Sequence, residues 1–208
     1  YPLSGLLWDR VASHLEGDYR LIIPDLRGHG ASEAAPTASM EEQARDLMAV
    51  LDAAEEDRPV VLVGMSMGGY VALAFCRLFP ERVRALALVN SRAAADSAEA
   101  AGDRRSTAER VLEGGAGEVA AIAESMVDKL FADGTSSVQR EEWRVRMAAT
   151  EPLGVAAALR GMADRPDSSA LLQELEQPIL VVGGEEDVIT PAVGAREMAE
   201  EVGATLEI

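Results

Sequence analysis

Val60-Val61-Leu62-Val63-Gly64-Met65-Ser66-Met67-Gly68-Gly69-Tyr70-Val71-Ala72-Leu73-Ala74-Phe75-Cys76 holds the turn around which the rest of the chain is organised. Four apolar residues, three of them β-branched, read as a buried strand, and the run from Gly68 onward has helix composition. Gly64-Met65-Ser66-Met67-Gly68 is therefore a tight strand-to-helix turn. A G-x-S-x-G sequence in that setting strains the backbone of Ser66 and lifts its hydroxyl clear of the sheet edge. Gly64 and Gly68 are expected where strand and helix backbones approach too closely for a side chain. The same turn aims the N–H of Met67 at the place where a carbonyl oxygen beside Ser66 would gain charge. Ser66 is the candidate nucleophile and Met67 a candidate oxyanion donor.

With 208 residues, 48% of them hydrophobic, the chain is long enough for one ordinary domain with a real core. No stretch approaches the roughly 18 to 20 apolar residues of a membrane span, and no basic-then-apolar leader is legible. The expectation is a cytoplasmic protein without a membrane partner. The formal charge of −17, from 19 basic and 36 acidic residues, sets up a field that repels nucleic acid. Lys129 is the one lysine among the 19; a GC-rich genome or adaptation to high salt would each produce such a bias. Cys76, the single cysteine, falls in the helix after the turn and reads as core packing. No metal or cofactor is called for, and the oligomeric state is not legible.

Upstream, Trp8 to Leu15 reads as a short helix carrying His14, with Trp8, Val11 and Leu15 on one face, and Tyr19 to Ile23 reads as a strand ended by Pro24. Ser39-Met40-Glu41-Glu42 matches a capping box at the head of a helix running to about Asp57. Downstream, Val83 to Asn90 is the next strand. From Ser91 to about Arg165 strand composition vanishes, and 106–113, 118–131, 138–149 and 153–162 read as helices. Pro178 to Gly184 returns to strand, Thr190 looks like an N-cap with Pro191 at N1, and Thr205 to Ile208 begins one more strand. Asp187 thus sits in a strand-to-helix loop at the same sheet edge as Ser66.

Asp25-Leu26-Arg27-Gly28-His29-Gly30-Ala31-Ser32, followed by the Ser66 turn, resembles the α/β-hydrolase family, in which a D-x-R-G-x-G-x-S turn follows the fourth strand. The resemblance implies an α/β fold, with a mostly parallel sheet, helices on both faces and a helical cap. Residues 1–90 and 166–208 would form the hydrolase core and 91–165 the cap. It gives the histidine of that turn a structural role, and its G-x-x-D pattern picks Asp187 over Glu185 and Glu186 as the acid of a Ser-Asp-His triad. It also makes the main-chain nitrogen of Tyr1 the second oxyanion donor, and Trp143, Met126 and Met162 candidates for lining a substrate pocket. A strand preceding Tyr1 would lie between the strand ending at Ile23 and the one ending at Val63. The chain would then leave two unpaired edges and be unstable alone. With only His14 and His29 present, the catalytic histidine is expected beyond Ile208, and these 208 residues close to inactive. The chemistry implied is attack of Ser66 on a carboxylic ester or lactone through an acyl-enzyme, most like the carboxylesterase and enol-lactonase branch. Cofactor-free perhydrolase, C–C hydrolase and a non-catalytic ligand-binding protein remain open.

Overall fold

The computed structural model describes residues 1–208. Four strands, β1 (Val60–Met65), β2 (Val83–Val89), β3 (Ile179–Val182) and β4 (Thr205–Glu207), form one sheet in the order β1-β2-β3-β4. Every neighbouring pair is parallel, so each connection has to cross over, and helices lie on both sides of the sheet. The central crossover is α3 (Met67–Leu78), between β1 and β2. Nine of its twelve residues are buried, Leu73 and Phe75 almost completely. A helix this apolar around its whole circumference has to sit inside the protein. Burying each large side chain contributes about 1.5–3 kcal/mol, which makes α3 the anchor of the core.

Two short helices lie off the sheet. A single 3-10 turn, Gly5–Trp8, leads into α1 (Asp9–Leu15), where Val11 and Leu15 remain largely exposed. Helix α2 (Met40–Ala53) carries the expected capping box: Ser39 accepts from the Glu42 N–H while the Glu42 side chain accepts from the Ser39 N–H. It ends four residues before Asp57.

The strand expected over Tyr19–Ile23 does not form. Arg20 to Pro24 make no main-chain to main-chain hydrogen bond and belong to no ladder. β-Branched composition favours an extended backbone, but a strand is defined by its partner, and β1 pairs only with β2. Residues 19–23 and β1 make no main-chain hydrogen bond to each other. Along β1, Val61, Val63 and Met65 share one face, as alternate strand residues do, and are 54%, 51% and 36% exposed.

The turn after Arg20–Pro24 is tied down instead by its own side chains. Asp25 accepts from the N–H groups of Gly5 (2.7 Å) and Ala31 (2.8 Å), Ser32 Oγ donates to the Asp25 carbonyl (2.7 Å), and Arg27 forms a bidentate pair with Asp46 of α2 (2.8 and 2.7 Å).

Between β2 and β3 run α4 (Ala98–Gly114), α5 (Ala116–Leu130), α6 (Ser137–Ala148), α7 (Pro152–Ala163) and α8 (Ser169–Glu174). Helices α5, α6 and α7 match stretches read from composition to within two residues, α4 contains the expected 106–113 stretch but begins eight residues earlier, and α8 has no counterpart among them. They do not form a uniform roof. Val155, Leu159 and Met162 of α7 belong to the main core with Ala108 and Val111 of α4, whereas Ala123 and Val127 of α5 and Met147 of α6 make a small cluster of their own. At the foot of this segment Asp96 is held by Arg104 (2.6 Å) and Arg165 (2.9 Å), and the Arg165 guanidinium stacks 4.0 Å from the Tyr70 ring centroid. Helix α9 (Ala192–Val202) then packs on β3 and leads into β4.

Candidate active site

Ser66 lies between the end of β1 and the start of α3, with φ 51° and ψ −116°, a conformation that a residue with a Cβ rarely adopts. Three hydrogen bonds hold it there. Its N–H donates to Val89 O, and its carbonyl accepts from both Gly69 N–H and Ser91 Oγ, each at 2.9 Å. A side chain is excluded at Gly64 and Gly69, but not at Gly68. A Cβ on Gly64 would run into the carbonyl of Gly68 and one on Gly69 into Ser91 Oγ, whereas a Cβ on Gly68 would meet nothing within 4 Å. The expectation for Gly68 is therefore corrected: that glycine sits on the open side of the first helical turn. Met67, as the first residue of α3, has a main-chain N–H that no intrahelical carbonyl can reach.

Asp187 lies in the loop after β3. Its carboxylate accepts from Ile189 N–H (2.7 Å), Thr190 N–H (2.8 Å), Thr190 Oγ1 (2.6 Å) and the Asn90 side-chain amide. Burial pushes this carboxyl up, but the Thr190 hydroxyl and N–H, the Asn90 amide and the Ile189 N–H outweigh it and hold the group below the usual carboxylate range. Thr190 is thus not the helix cap that its position suggests. Its hydroxyl is taken by Asp187, Pro191 becomes the N-cap, and α9 begins at Ala192.

Ser66 and Asp187 line one cleft of about 390 Å³. Asn90 lies between them at the end of β2, in a positive-φ conformation (45°) that Asn tolerates better than most residues. Sequence reasoning missed Asn90 and Ser91. Their one signal was a polar pair at the C-terminal end of an apolar strand. The end of α5 and the two residues beyond it, Lys129 to Ala132, also line the cleft, as do Glu185 and Glu186, which precede Asp187.

None of the three pocket candidates lines this cleft. Met162 is 2% exposed in the main core, Met126 packs on the Ala123–Val127–Met147 cluster, and Trp143 lies under the Arg146 guanidinium at 4.8 Å. Tyr1 is also away from the cleft; its ring meets His29 edge-on at 6.1 Å, and burial pushes its phenol up.

Neither histidine reaches Ser66. His29 is 1% exposed; its Nδ1 donates to Arg27 O (3.0 Å) and its Nε2 has no partner, while burial lowers its pKa to about 4 despite the Arg27 bond. This is the structural role expected of it. His14 bonds Arg10 O on α1. Ser66 Oγ makes no hydrogen bond within the chain. Cys76 is buried in α3, which pushes its thiol up to about 12 and leaves it inert.

A family model described as alpha/beta hydrolase fold matches residues 1–207. The solved structure of a thermophilic esterase from Thermogutta terrifontis, with malate bound, is 38% identical and superposes with a TM-score of 0.95 over 100% of this chain and 78% of its own. A pimeloyl-[acyl-carrier protein] methyl ester esterase of Chromobacterium violaceum is 31% identical over 96% of this chain and 78% of its own length. A 3-oxoadipate enol-lactonase of Acinetobacter baylyi is 27% identical over 97% of this chain and 74% of its own. The chain therefore spans about three quarters of each relative.

Proposed function

The chain belongs to the alpha/beta hydrolase fold family, and from that premise we propose that it is a serine hydrolase acting through Ser66 on a carboxylic ester or lactone. The observation that carries the reading is the strained Ser66 sharing one cleft with an Asp187 kept ionised by four donors. Ser66 Oγ attacks the carbonyl and expels the alcohol, or opens the lactone, and water then hydrolyses the acyl-enzyme. The Met67 N–H at the head of α3 stabilises the oxyanion. The role assigned to Asp187 is to hold an imidazole in the tautomer that can take the Ser66 proton and to stabilise the imidazolium. The relatives named as esterases and an enol-lactonase support the ester and lactone classes.

A second reading, a ligand-binding protein of the same fold, is favoured by one observation: neither histidine lines the cleft. By themselves, residues 1–208 should then retain only the modest catalysis that oxyanion stabilisation and binding supply. Exposure to an activated p-nitrophenyl ester separates the two, because a good leaving group reduces the need for a general base. Peptide mapping by mass spectrometry should find the acyl group on Ser66 and none on the Ser66→Ala chain. Acylation elsewhere, or equal p-nitrophenol release by both chains, would exclude the serine-hydrolase reading.

A further inference from the structure

Of all the residues lining the cleft, one is basic: Lys129, in the last turn of α5. It is also the only lysine in the sequence, the other 18 basic residues being arginines. Whatever caused that bias, arginine would serve equally well for a helix end that merely favours positive charge. The acids beside Lys129 on the same helix are already engaged: Arg140 pairs with Asp128 (3.4 Å) and Arg144 with Glu124 (3.7 Å). No carboxylate lies within 4.0 Å of the Lys129 ammonium, and it donates no hydrogen bond. Lys129 is thus an exposed, unpaired cation that lines the same cleft as Ser66, in a chain of net charge −17.

Resting on the serine-hydrolase reading of this cleft, we propose that Lys129 binds a free carboxylate on the substrate, so that the preferred substrates are esters or lactones carrying an acid group away from the scissile bond. Lysine is suited to this as a point charge on a flexible stem, able to meet a carboxylate at more than one distance from the reacting carbonyl. Leu130 and Phe131, next along the same wall, give the intervening chain an apolar surface. Glu185 and Glu186, both exposed, line the same cleft on the loop that carries Asp187. These repel a substrate carboxylate and attract a cation. The cleft is thereby polarised, and an anionic substrate enters with its acid end toward α5 and its ester toward Ser66. A volume of about 390 Å³ suits a small molecule of this kind.

Because the chain has one lysine, labelling with 13Cε-lysine produces one lysine side-chain signal, which makes the test independent of turnover. The Ser66→Ala chain so labelled is titrated with monoethyl glutarate, with neutral ethyl pentanoate and with butyrylcholine. The expected result is a saturable shift of the Lys129 signal with monoethyl glutarate alone. In calorimetry on unlabelled chains, Lys129→Ala should weaken monoethyl glutarate binding about fivefold, as for a partly exposed ion pair, and Lys129→Arg should restore most of it. Equal shifts from the neutral ester would overturn the proposal, and preferential binding of butyrylcholine would assign the cleft to cationic esters through Glu185 and Glu186. Acylation of Ser66 by the activated ester remains the separate test of the underlying chemistry: if that fails while the Lys129 titration succeeds, the cleft is an anion-selective binding site, and if that succeeds while the titration fails, only the carboxylate preference falls.

Discussion

At the scale of single residues, the strain at Ser66 persists because its surroundings over-determine it. A φ of 51° with ψ −116° costs on the order of 1–3 kcal/mol. Three hydrogen bonds of 2.9 Å and the contact between the Gly64 and Gly68 backbones offset that cost. Gly64→Ala drives a methyl into a main-chain carbonyl that cannot swing away, and should cost about 3 kcal/mol or more in urea denaturation. Gly68→Ala meets open space in a helix and should leave stability unchanged or raise it by up to about 1 kcal/mol. Similar losses from both substitutions would show that the turn is packed differently. The motif made Ser66 legible, since five letters in a strand-to-helix context specify a backbone shape. Which glycine meets the strand was not legible, because that depends on the rotation of α3 about its axis. Asn90 was invisible for another reason: its partner Asp187 lies 97 positions away, and no local pattern encodes that distance.

At the scale of elements, α7 shows how a helix from the inter-strand insertion becomes core. Gly154 and Gly161, seven residues apart and so on one face, press against the backbone of Gly28 and the carbonyl of Ala38. The helix thereby docks on the loop that leads into α2, and nine of its twelve residues are buried. Gly154→Ala should undo that contact and lower stability by about 2–3 kcal/mol. Gly102→Ala in α4, where an added methyl meets nothing within 4 Å, should be neutral or stabilising. Thermal unfolding of the two chains side by side checks this, and equal midpoints would mean that α7 is not docked through its glycines. Helix composition exposed all four long helices of this segment in the sequence, because propensity and capping act within a few residues. It did not show that α7 is core while the later part of α5 and α6 form a satellite cluster, since small residues look alike whether they face a backbone or solvent. The 19–23 segment is the converse case: its composition is strand-like, yet it lies in no ladder, because the hydrogen bonds that define a strand come from elsewhere in the chain.

At the scale of the whole molecule, acid acts on stability through opposing routes. With 36 acidic against 19 basic residues, the first protons taken up relieve self-repulsion and favour the compact state. His29 opposes this. Its ring is 1% exposed, and burial holds its folded pKa at about 4, below the ordinary value of 6.5. As pH falls below about 6.5 the unfolded chain takes up a proton that the folded chain refuses until about 4, so stability drops across that window. The slope approaches about 1.4 kcal/mol per pH unit, which amounts to roughly 2 kcal/mol between pH 7 and pH 5. Relief of repulsion is spread over carboxylates that mostly remain ionised at pH 5, so the His29 effect should dominate there. Below pH 4 the sign stays the same for a different reason: carboxyls held below their usual range, Asp187 and Asp96 among them, must be protonated against their hydrogen bonds. The measurement is urea denaturation at pH 7 and pH 5. It should use dilute protein, because Val61, Val63 and Met65 are exposed on one sheet face and net charge vanishes near the sequence pI of 4.5. His29→Asn, which keeps a donor for the Arg27 carbonyl but cannot titrate, should lose most of the difference between the two pH values even if it is less stable at both. An undiminished pH dependence in that variant would assign the acid sensitivity to the carboxylates instead.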